Sequence, residues 1–178
     1  MSARRLVLLA LLVVVAGALV VLVEAPVRRS GQETVSGPRL VQLAPESVDR
    51  VVVTIGERRA AVERVAGHWT VRGRAVSAAL DDAIGNLVDT LTGLRAVDRF
   101  RPRDGASFGF EPTPRATLEL GEPRRTTRIL LGELNGARSV VYARRDGDLH
   151  VWLVGLYLIS AMERVIYFAD AEIGQPSG

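Results

Sequence analysis

Two histidines, His68 and His150, are the first side chains in this 178-residue chain that could act as a general base or a metal ligand. His68 adjoins Trp69, and His150 lies two residues before Trp152. Neither has the His-x-His or His-Glu-x-x-His spacing that brings ligands to one face, so both are expected at a sheet surface or a satisfied strand edge. Asp146-Gly147-Asp148 resembles the start of a calcium loop, but the later ligands and the closing glutamate are missing. It reads instead as a hairpin turn. Asp81 and Asp82 are adjacent on a helical pattern, where neighbours diverge by about 100° and cannot converge on one substrate. There is no Gly-x-Ser-x-Gly elbow, and a phosphate loop ending in lysine is excluded because the chain has no lysine. The expected catalytic, cofactor-binding and metal-binding sets are therefore empty.

One cluster has a different character. Arg95, Arg99, Arg101 and Arg103 crowd a short stretch that holds Asp98 and Asp104 as its only acids. The planar guanidinium fork suits carboxylate and phosphate groups, so these four are a candidate contact for an acidic partner or a lipid headgroup. Loop solvation in an arginine-biased chain is the plain alternative. All 23 basic residues are arginine, which reads as a coding bias without functional weight.

The elements that must position these groups follow from periodicity. Val51, Val53 and Ile55 alternate with Val52 and Thr54 in a β-branched run ending at Gly56, and AAVERVAGHWTVRG gives two short strands around Ala66-Gly67. Ser77 is a suitable N-cap for a helix whose Leu80, Ile84, Leu87, Val88, Leu91 and Leu94 recur every three or four residues. Asp81, Asp82, Asn86 and Asp89 take its other side, and Trp69 is expected to pack on the apolar stripe. An irregular stretch rich in Arg, Pro and Gly follows. ATLELG, TTRILLG, SVVYARRDG and LHVWLV then read as four strands, and LYLISAMERVIYF returns to helical spacing. The predicted class is α+β, with short, largely antiparallel strands and the helices on one face of the sheet. The order strands, helix, strands, helix suggests a pseudo-repeat without residue-level identity.

The amino terminus carries a second message. Leu6 to Val23 is an uncharged apolar run of eighteen residues. As a helix it spans roughly 27 Å, close to the ~30 Å hydrocarbon core of a bilayer. A cleaved signal has a shorter apolar region and a small-residue cleavage site. Here Pro26 directly follows the only such site, Val23-Glu24-Ala25, so a retained anchor is the expectation and a cleaved signal the alternative. The implied organisation is a cytoplasmic tail (1–5), a transmembrane anchor (6–23), a tether (24–38), an exported α+β domain (39–170) and a polar tail (171–178). Orientation is weakly marked, with Arg4 and Arg5 before the span and Arg28 and Arg29 after it. Beyond residue 23 the chain carries 21 arginines against 20 acids, a balance that excludes the concentrated basic face of a nucleic-acid binder. The absence of cysteine excludes disulfides, thiolate metal sites and a lipid-modified amino terminus.

Residues 39–154 resemble the family known as domain of unknown function 4340. The resemblance rests on VQLAPESVDRVVVTIG, the tryptophan of GHWTV, the amphipathic helix, and then FGFEPTPRATLEL, ILLG, VYARRDGD and VWLV. Where the family usually has a Tyr-Gly-Leu-Asp-x-Pro-like phrase, this chain has Phe108-Gly109-Phe110-Glu111-Pro112-Thr113-Pro114, in which family-typical residues are replaced by similar ones. The resemblance implies a protein anchored in the bacterial inner membrane with an exported domain, in some members an auxiliary part of a gliding-motility-type ABC transport system. It brings no catalytic residue. The expected function is a non-enzymatic accessory or interaction module, with the bilayer and integral-membrane transporter subunits as partners and no nucleic acid. A cell-envelope hydrolase using His68 or His150 and a wall-polysaccharide-binding module are the alternatives.

Overall fold

The computed structural model describes residues 37–103 and 106–174. The expected tail, the anchor and nearly all of the tether lie outside them. Among the described residues no helix is long and apolar enough to cross a membrane.

Among the described residues nine strands form one sheet in which every pairing is antiparallel. In chain order they are β1 (Arg50–Ile55), β2 (Arg58–Val65), β3 (His68–Val71), β4 (Arg74–Ala75), β5 (Asp98–Phe100), β6 (Ala116–Glu122), β7 (Arg125–Leu134), β8 (Val140–Arg145) and β9 (Val151–Gly155). Helix α1 (Ala78–Gly93) follows β4, and α2 (Tyr157–Ile173) follows β9. The spatial order is β4-β3-β2-β1-β6-β7-β8-β9-β5. Two four-stranded meanders, each followed by a helix, thus meet at the β1–β6 seam, where Arg50 pairs with Gly121 and Ile55 with Ala116. This topological dyad is the physical form of the suspected pseudo-repeat.

Local chemistry explains most of these elements. The β2–β3 turn places Ala66 and Gly67 at φ of 50° and 86°, the paired positive angles whose twist matches a hairpin. The Ser77 side chain accepts the Leu80 N–H at 3.3 Å, as an N-cap should. The Ser77 N–H donates to Glu172 Oε1 at 2.7 Å, which ties the start of α1 to the end of α2. Alternate residues of β1, β2 and β6–β9, including Val51, Val53, Val62, Leu118, Leu120, Leu131 and Val154, form a single core with Trp69, Leu80, Ile84, Leu87, Leu91 and Leu94. The α2 residues Leu158, Met162, Val165 and Ile166 complete it. Trp69 therefore shares the core of the α1 stripe, as its spacing implied.

Three boundaries differ from expectation. Gly37 and Pro38, assigned to the tether, are already bound to the domain: Gly37 O accepts from Arg95 Nη1 at 3.2 Å, and Pro38 O from the Ala96 N–H at 3.0 Å. Helix α2 continues through Ile173, past the expected start of the polar tail. The stretch after α1 is not wholly irregular, because it contains β5. That strand pairs only with β9 and is one edge of the sheet, where charged side chains are tolerated and no apolar alternation is required.

From β5 at the edge the chain must return to β6 in the centre, so residues 101–115 pass over β9, β8 and β7. They do so on the face opposite the helices, since Phe108 stacks on Tyr142, which alternates with the core residues Val141 and Ala143. Phe100 and Phe110 complete the aromatic group. The strap is seated where β7 bulges between Leu131 and Leu134, and there the Glu133 N–H donates to Phe108 O at 2.8 Å. Gly132 permits this approach, because a Cβ there would lie 2.0 Å from Phe108 O. Gly132→Ala is expected to cost about 1–3 kcal/mol by forcing the strap outward. The loss should be visible as a lower urea midpoint and faster hydrogen exchange at the Glu133 amide.

Candidate functional site

The β5–β9 edge brings together residues that are far apart in the sequence. Arg99 is the cross-strand partner of Trp152, and its guanidinium carbon lies 4.7 Å from the indole centroid. Asp148, His150 and Trp152 occupy alternate positions running from the β8–β9 turn into β9, so they share one side of the chain. Their polar atoms converge on Asp148. Its Oδ1 accepts the His150 backbone N–H at 3.0 Å and faces His150 Nδ1 at 2.9 Å, while Oδ2 accepts the Trp152 indole N–H at 3.2 Å. Arg145 Nη2 is 3.5 Å from Oδ2. The carboxylate is only 7 % exposed. Burial pushes its pKa upward, but the hydrogen bonds from His150 and Trp152 and the charge of Arg145 outweigh burial and hold it at about 2. The Asp-Gly-Asp sequence is thus a turn, as expected, and its second aspartate is the hub of a network.

His150 Nδ1 also lies 2.9 Å from Arg99 Nη2. One nitrogen cannot donate to the carboxylate and accept from the guanidinium at once. With the proton on Nδ1, the bond goes to Asp148, and Arg99 is held by the face of Trp152. An aspartate-oriented histidine is half of a base–nucleophile arrangement. The other half is missing among the described residues: the side-chain partners of His150 are Asp148 and Arg99, with no hydroxyl. His68 is exposed at the start of β3, remote from this edge. A cleft of about 700 Å³ lies beside the strap, lined by Glu111, Arg115, Glu133, Asn135 and Arg138 among others, and neither histidine reaches it. Among the described residues no cluster of His, Asp and Glu could hold a metal ion.

Of the four predicted contact arginines, Arg99 lies on β5, Arg95 precedes the strand, and Arg101 and Arg103 open the strap that follows it. Arg95 forms an isolated bridge with Arg39 where the chain enters the domain. Arg99 covers Trp152, and Arg101 and Arg103 follow in the strap with exposed side chains. Asp98, the nearest acid, has its Oδ1 on the Arg99 backbone N–H at 2.7 Å, which blunts the outer edge of the strand. Sequence reasoning missed Arg39, Asp148 and Trp152 as members of this site. The alternation Asp148-x-His150-x-Trp152 was the available signal, since it places all three on one side of an incoming strand.

Over residues 69–170 the chain matches the family described as Domain of unknown function (DUF4340), more than half of its length. No curated protein and no solved structure matches it.

Proposed function

We propose, from the premise that this chain belongs to the DUF4340 family, that it is a non-enzymatic, membrane-anchored accessory module whose arginine edge meets a partner. In this reading Leu6–Val23 is the retained anchor of an exported domain in the bacterial inner membrane. The partner is an integral-membrane assembly, such as a transport complex of the ABC type. The observation that carries the reading is the saturation of the carboxylate in the one His–carboxylate pair among the described residues. Asp148 spends its oxygens on Trp152, His150 and Arg145, so the network supports the edge instead of offering a reactive group. What lies beside it is a cluster of arginines at and next to β5, with Arg101 and Arg103 exposed, the kind of feature that steers docking.

The test is rescue of a deletion strain. His68→Ala with His150→Ala should rescue as well as the natural chain, whereas Arg101→Glu with Arg103→Glu should rescue poorly at equal expression. Loss of rescue by the histidine pair with the fold intact would turn the reading to a hydrolase.

A further inference from the structure

We infer that the β5 edge docks on an anionic lipid surface and holds the domain edge-down against the membrane that anchors it. The inference rests on the anchored reading above and adds the orientation and the ligand chemistry. Three observations carry it. First, the chain enters the domain at this edge: Gly37 and Pro38 are bound to Arg95 and Ala96, and Arg39 bridges Arg95. Thirteen residues separate Val23 from Gly37. They can span at most ~45 Å. The edge is therefore the part of the domain kept nearest the bilayer.

Second, charge is unevenly spread along the sheet. Arg39, Arg95, Arg99, Arg101 and Arg103 line the entry edge. Its described acids are fewer: Asp98, exposed with one oxygen on a backbone N–H, Asp148, shielded under its partners, and Asp89, exposed at a cleft that Arg39 also lines. The helices carry Asp81, Asp82, Asp89, Glu163, Asp170 and Glu172 against Arg164 alone. Asp81 and Asp82 lie at the start of α1 and Asp170 and Glu172 at the end of α2, tied together beside β4 at the opposite edge. The far border also carries Arg72 and Arg74, so its acids are partly offset where the entry edge is rich in arginine, and an anionic surface favours the entry edge. Third, the arginines are accompanied by exposed apolar side chains, Val97 at 57 % and Leu149 at 65 % exposure. Guanidinium groups interleaved with apolar groups suit the headgroup–acyl boundary.

The chain has no cysteine, so a single introduced thiol can be labelled cleanly. A fluorophore at Val97→Cys reports the entry edge, and one at Ala79→Cys reports the far end. The full chain is placed in nanodiscs carrying a headgroup nitroxide lipid, with phosphatidylcholine alone or with added phosphatidylglycerol. Strong quenching is expected at position 97 and weak quenching at 79, only in the phosphatidylglycerol discs, and it should be relieved at about 0.5 M salt, where the Debye length falls to roughly 4 Å. Arg101→Gln with Arg103→Gln, which leaves Arg99 on Trp152, should weaken docking about fivefold per arginine. Quenching that ignores lipid charge, affects both positions equally, or survives the double change overturns the inference. So does absence of quenching on phosphatidylglycerol discs, the result an acidic protein partner predicts. A chain that does not stay with phosphatidylcholine discs refutes the anchor instead. The edge is then read on phosphatidylglycerol vesicles, where equal binding of the natural chain and the double variant overturns docking.

Discussion

Leu87→Ala is expected to lower the unfolding free energy by about 3–4 kcal/mol, within the range for a fully buried leucine. Leu87 is wholly shielded from solvent in the middle of α1, in the same core as Trp69, the sheet residues and α2. The helix cannot settle into the space left behind, because both of its ends are held. Ser77 caps one end and is bound to Glu172, and Leu94 and Ala96 at the other are buried, with Ala96 bound to Pro38. A cavity that cannot collapse is costly. Urea unfolding should show a lower midpoint with an unchanged slope. A loss under about 1 kcal/mol would mean that α1 does not carry the core.

Asp148→Ala should cost about 2–3 kcal/mol, because it removes the hub and leaves part-buried donors unpaired. The Trp152 indole, the His150 backbone N–H and Arg145 all lose their acceptor. The pH dependence separates the charge from the shape. A carboxyl whose folded pKa is depressed to about 2 from 3.8 adds stability that is fully present above 3.8 and is lost as pH falls through about 2. The size of that contribution is about 2 kcal/mol for a group this well shielded. Asp148→Asn keeps one acceptor oxygen and the shape but not the titration. Between pH 4 and pH 2 the natural chain should therefore lose about 2 kcal/mol more than the asparagine variant. Parallel acid-unfolding curves for the two would refute the network.

Much of the fold was legible because its signals are local. The β-branched run of β1, the Ser77 cap, the α1 stripe and the Asn, Asp and Gly turns between β7, β8 and β9 each occupy a few consecutive residues. The strand β5 was not legible, since Asp-Arg-Phe has no alternation to read and is extended only because β9 offers it a partner 53 residues on. The docking of the strap was hidden for the same reason. Gly132 reads as an ordinary strand glycine until Phe108 is brought against it. The arginine cluster was visible as composition, but what makes it an edge is the return of Gly37–Arg39 to Arg95, a contact between segments more than fifty residues apart. The setting of His150 and Trp152 likewise depends on the tertiary approach of Arg99 from β5.

The two ends of the described domain leave from opposite borders of the sheet. The first residues join Arg95 and Ala96 beside β5, whereas the end of α2 is fastened to Ser77 and Arg74 beside β4. Eight strand spacings of about 4.8 Å lie between those borders, roughly 38 Å. The sheet is in effect a ruler with the entering chain at zero. A reporter fused beyond Gly174 would ride at the far mark, clear of anything that grips the near one. A pair of dyes at the two borders would measure the tilt of the ruler against whatever surface holds its origin.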